Sequence, residues 1–191
     1  MKHLFRKLVV ILTVLVSVFG MQMNPVSAIG NSANYKTGYR TGTVIRRTYG
    51  YTGSGRTRSR YMKTKDVYLS ERKVYEQWAK DVTKEWVDLS SNKSLQYTQS
   101  QTVSASGSVD IVKAMGLKAS LTIGKSSSAG ATFAGNPKKG RYGKLAVKCD
   151  YVIITYNHYT YNSKGRQTGC SKQTVKVPIP GSLAFYVRYS N

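Results

Sequence analysis

Guanidinium, ammonium and phenol groups alternate along one stretch of this chain. Arg40, Arg46, Arg47, Arg56, Arg58, Arg60 and Lys63 are interleaved with Tyr39, Tyr49, Tyr51 and Tyr61. A guanidinium clamps two phosphate or carboxylate oxygens at once, and a tyrosine face stacks on sugars, bases or cations. The mixture points to a polyanion that carries rings. A second basic cluster, Lys138, Lys139 and Arg141, followed by Lys144 and Lys148, extends the same chemistry.

Catalytic and metal-binding groups are scarce by comparison. The chain holds two histidines, His3 and His158, and two cysteines, Cys149 and Cys170. A histidine zinc site wants two or three imidazoles, and a thiolate site wants more cysteines. His158 and Asp150 formally supply a base and its orienter for a serine nucleophile, yet no Gly-x-Ser-x-Gly elbow is present, and Gly53-Ser54-Gly55 does not match one. A glycosidase needs two positioned carboxylates, and six of the eight acids are concentrated in one segment. The best enzymatic arrangement is a small secreted ribonuclease using His158 with a Glu and an Arg, and no spacing supports it. The inventory predicts a protein that is not an enzyme and uses no metal or cofactor.

The first 28 residues read as a cleaved secretory signal. Lys2, Arg6 and Lys7 precede an uncharged, mostly apolar stretch from Leu8 to Phe19, and Val26-Ser27-Ala28 places small residues at the cleavage positions. The apolar run is shorter than the roughly 18 to 20 residues that span hydrocarbon. The expected product is secreted, starts at Ile29 and associates with the cell surface, if at all, without a covalent anchor. Losing Lys2, Arg6 and Lys7 lowers the formal charge from +22 to +19. Such a field draws polyphosphates, acidic polysaccharides, anionic lipid heads or nucleic acid. For an exported protein the expected partner is an anionic envelope polymer or anionic lipid surface, with nucleic acid qualifying only if it is extracellular.

The elements that must position these groups are mostly strands. Residues 29–65 read as a Gly-, Tyr- and Arg-rich basic arm followed by a hairpin, Thr43 to Tyr51 and Arg58 to Tyr68, around the turn at 52 to 55. Residues 66–191 read as a single β-rich domain. Within it Val74, Trp78, Val82, Trp86 and Leu89 recur at spacings of four and three, which predicts one amphipathic helix over 70–89 with its tryptophans docked on a sheet. Six acids, Asp66 to Asp88, share the overlapping 66–88 window with four basic residues, so the rest of the secreted chain is more basic still. Leu145, Val147, Cys149, Tyr151 and Ile153 predict a central strand, Asn162-Ser163-Lys164-Gly165 a turn, and Gln167 to Val177 and Ser182 to Tyr189 two further strands. The predicted fold is mainly β, an antiparallel sheet or sandwich with that helix and the basic N-terminal arm.

Residues 95–135 are rich in Ser, Thr, Gly and Ala. Val103, Ala105, Gly107, Val109 and Ile111 alternate with Ser104, Ser106, Ser108 and Asp110, and Leu117 to Ile123 alternate likewise. Two amphipathic strands follow, with a short helix across Asp110 to Met115 as the competing local reading. The segment resembles, in composition, the membrane-inserting hairpin of aerolysin-type β-pore-forming toxins. That resemblance implies a second function class, a secreted antimicrobial or pore-forming protein that oligomerises to insert; Ala105 and Gly107 leave one lipid-facing side weak.

Two cysteines in an exported chain predict a disulfide between Cys149 and Cys170. The turn at 162 to 165 opposes it. In a simple hairpin Cys170 lies opposite Asn157, about 26 Å from Cys149 at roughly 3.3 Å per residue, whereas a disulfide needs Cα atoms within about 7 Å.

Overall fold

The computed structural model describes residues 32–88, 94–95, 100–123, 131–132 and 142–190. They form one long antiparallel sheet and two short two-stranded ladders. Strand β1 (Val44–Thr52) turns into β2 (Ser59–Asp81), a strand of 23 residues. Two-residue strands follow at β3 (Val87–Asp88) and β4 (Ser94–Leu95). Next come β5 (Gln101–Ser104), helix α1 (Val109–Ala114), β6 (Ser120–Ile123) and β7 (Ala131–Thr132). The chain ends in β8 (Tyr142–Tyr161), β9 (Gln167–Pro178) and β10 (Ala184–Tyr189).

β8 is the spine. It pairs with β2 along one side, and with β9 and then β10 along the other. Its apolar run is hydrophobic on both faces because both faces are covered. Val152, Ile154 and Tyr156 join Tyr68, Val175 and Val177 in one core cluster, capped by Ile111, Val112 and Met115 around α1. Val147, Cys149 and Tyr151 join Val103 and Leu183 in a second. Burying Ile111, Val112 and Met115 stabilises the docking of α1 by about 1.5–3 kcal/mol per side chain.

The segment expected to be a helix over 70–89 is strand as far as Asp81, and Leu89 lies outside the described residues. The period misleads here. Positions 74, 78, 82 and 86 are four apart, and four is also a multiple of two, so the same residues share a strand face. Val, Tyr and Trp favour the pleated surface, and β8 offers a partner from Thr160 to Ala146. Register shifts at Val74/Gln77 and Trp78/Lys80 then re-aim the side chains. Trp78 and Trp86 remain 45% and 43% exposed rather than docked. At the first bulge Glu76 adopts φ 48° and donates its N–H to the buried Asp150 carboxylate at 2.7 Å.

The described part of the N-terminal arm is not free either. Tyr35 and Tyr39 pack on the first core cluster, Gly42 N–H donates to the Tyr68 carbonyl, and the Thr41 hydroxyl donates to the Leu69 carbonyl. Tyrosine rings fill core space that the aliphatic count of this stretch does not supply.

In the Ser/Thr-rich segment Gln101–Ser104 pairs with Ser120–Ile123, and Ser94 and Leu95 pair with Thr132 and Ala131. Val109 and Ile111 belong to α1 rather than to a strand. Ser106 is the ladder's tie to the large sheet, exchanging two 2.9 Å backbone hydrogen bonds with Lys176. Residues 96–99, 124–130 and 133–141 lie outside the described residues.

Both cysteines are free thiols, Cys149 buried and Cys170 exposed. Cys170 lies opposite Tyr159 in the β8–β9 register, so the expected disulfide would have to bridge about ten residues of strand, roughly 33 Å. Burial pushes the Cys149 thiol up from its ordinary value, with Ser182 opposing through a hydrogen bond, which keeps it protonated and unreactive.

Candidate functional site

The β1–β2 hairpin carries ten of the 22 described Lys and Arg residues. Gly53, at φ 83°, makes its turn possible: a Cβ there would stand 2.6 Å from the Thr57 carbonyl oxygen. Arg58 lies over the Tyr51 ring at 4.1 Å and Arg60 over the Tyr49 ring at 3.6 Å. Tyr51 and Arg60 are also register partners across the strands. Each stack is worth about 0.5–1 kcal/mol at an exposed site. Arg56 in the turn and Arg47 on β1 are exposed beside this ladder. Arg40 sits in the turn that precedes β1 and accepts the Thr43 N–H through its carbonyl. Lys138, Lys139 and Arg141 lie outside the described residues.

At the base of the hairpin opens a cleft of about 500 Å³. Arg46, Asp66 and His158 are register partners on β1, β2 and β8, so their side chains form one row across the sheet. The His158 Nδ1 lies 2.6 Å from the Asp66 carboxylate, which is almost fully buried. A carboxylate accepts only, so Nδ1 carries the proton and Nε2 is the free ring nitrogen. Arg46 donates to Asp110 at 2.9 Å across the rim. Lys63 and the hydroxyls of Thr48 and Thr64 line the remaining wall, and Tyr49 belongs both to the cleft and to the Arg–Tyr ladder. Burial raises the Tyr156 phenol above its ordinary value; Asp66 reinforces the shift and Arg46 opposes it. The phenol stays protonated and donates to Gln173 at 2.8 Å.

The Asp66–His158 pair spans 92 positions of sequence. Nothing local announces it. Asp150, the acid formally available to orient His158, instead accepts the Glu76 amide, and its own N–H donates to the Ser182 hydroxyl. Arg46 and Lys63 reach the cleft, while Arg56, Arg58 and Arg60 stay on the exposed ladder. Among the described residues no group of three or more His, Cys, Asp or Glu side chains is gathered for a metal ion. Comparisons with family models, with curated proteins and with solved structures find no match for the chain.

Proposed function

We propose that this is an exported cationic protein that binds an anionic cell-envelope polymer or membrane surface through the β1–β2 hairpin. The observation that carries the reading is the pair of stacks, Arg58 on Tyr51 and Arg60 on Tyr49, adjoining a cleft lined by Arg46 and Lys63. Two guanidiniums two residues apart, stacked on Tyr51 and Tyr49, suit a repeating line of oxyanions. Neutralising several anionic groups releases counterions, so affinity for polyphosphate should fall steeply with salt, log–log, by about one unit of slope per contact. Replacing Arg56, Arg58 and Arg60 together with Gln should flatten that slope by two to three units, by the same estimate. A flat slope for the native protein would reject the reading.

A second reading is favoured by one observation. The β5–β6 ladder hydrogen-bonds only with itself; it packs on the large sheet through Val103, Leu121 and Ile123, and the Ser106–Lys176 bridge is its backbone tie to that sheet. A hairpin so tethered is the kind of element a pore-forming protein would release. Leakage of dye from anionic vesicles separates the two, since a surface binder leaves vesicles sealed.

A further inference from the structure

The charges around His158 nearly cancel, and what remains depends on one proton. Arg46 from β1 and Lys63 from β2 bring two positive charges to the cleft; Asp66 from β2 and Asp110 from α1 bring two negative ones. Tyr49 and Tyr156 face the same space as neutral phenols, and β9 contributes the uncharged Gln173. With a neutral imidazole the cleft is balanced. With His158 protonated it gains one positive charge, and Nε2 becomes a donor with no partner among the described residues. Asp66 is already in place at 2.6 Å to support the imidazolium.

We propose that this cleft is a proton-gated phosphate subsite, in which a single phosphate group is held by Arg46, Lys63 and the protonated Nε2 of His158. The ligand class rests on the polyanion reading above; the gating rests on the charge balance alone. A tetrahedral phosphate offers an oxygen to each of three donors that line the cleft. Arg46 has guanidinium N–H groups beyond the one given to Asp110. Lys63 has no ion pair among the described residues and acts as a point charge. Phosphate binding and protonation of the imidazole are linked: phosphate favours the imidazolium, and acid favours phosphate.

The test uses pyrophosphate as a small probe and polyphosphate as the polymer. The chain carries two histidines, so the His158 Hε1 resonance is identified by its loss in His158→Gln. At pH 7, pyrophosphate should move that resonance toward its protonated position, and affinity should be about tenfold weaker at pH 8 than at pH 5.5, the range set by a hydrogen bond to a charged group. Asp110→Asn removes a rim carboxylate that is largely exposed. It should tighten binding at both pH values and leave the pH dependence in place, because His158 is untouched, whereas a cation site would be weakened by the same change. An unmoved His158 resonance at saturating polyphosphate overturns the subsite while leaving the hairpin reading intact. Failure of polyphosphate to bind, with the pyrophosphate response present, rejects the hairpin reading and keeps the subsite. An equal response to acetate overturns the phosphate assignment.

Discussion

Gly107 decides how firmly the β5–α1–β6 unit is held. It has φ 98°, and a Cβ built there would stand 2.9 Å from the Thr174 carbonyl oxygen and 3.0 Å from Val175 Cγ1. The first obstacle is backbone in β9, so it cannot rotate aside. The neighbouring Ser106 makes the two bonds to Lys176 that tie the unit to the sheet. Gly107→Ala should therefore cost about 1–3 kcal/mol in backbone strain alone. That cost falls on docking of the unit, raising its opening constant by roughly 5- to 150-fold. Native-state hydrogen exchange reads this directly. The amides of Ala105, Ser106 and Leu117 should exchange faster by that factor, while the β8–β9 amides around Ile154 and Val175 change far less. The unit should stay docked most of the time, because Ile111, Val112 and Met115 keep it buried. Unchanged protection at Ser106, or an equal loss across β8, would refute the assignment of this strain to the tether.

Burial, reinforced by the adjacent Cys149, pushes the Tyr151 phenol up to about 12 from 10.0. Its folded value lies above its unfolded one, so the associated stability is complete below pH 10 and is lost as pH rises toward about 12. Tyr151→Phe should remove that part of the alkaline loss, on the order of 2 kcal/mol; an unchanged alkaline profile would count against it. Alkylation of the native protein should modify Cys170 rapidly and Cys149 only after unfolding, and modification of neither before reduction would reinstate a disulfide. The chain's two tryptophans are both nearly half exposed, with Lys148 and Lys144 ammonium groups 4.8 and 5.0 Å from the Trp78 and Trp86 rings. Their emission should be that of wet indole and be quenched more strongly by iodide than by caesium. Blue-shifted, unquenched emission would contradict the exposed face.

Strand character at the C-terminal third was legible because local signals agreed there. The apolar run from Leu145, the Asn-Ser-Lys-Gly turn and Pro178 all point to the same three strands, and β8, β9 and β10 occupy them. The turn of the first hairpin was legible as well from its glycines, whereas the second strand, read as far as Tyr68, runs on to Asp81. The helix over 70–89 was not decidable locally. A spacing of four serves both periods, and the choice fell to pairing with β8, more than sixty residues away in sequence. The same kind of contact set the rest of the site. Residue types alone establish a cationic chain with two histidines and supply the donors that phosphate chemistry needs. Only the register of three strands placed Asp66 between Arg46 and His158. A strand's side-chain alternation is local, but the identity of the neighbour across the ladder is a property of the sheet, which no window of sequence contains.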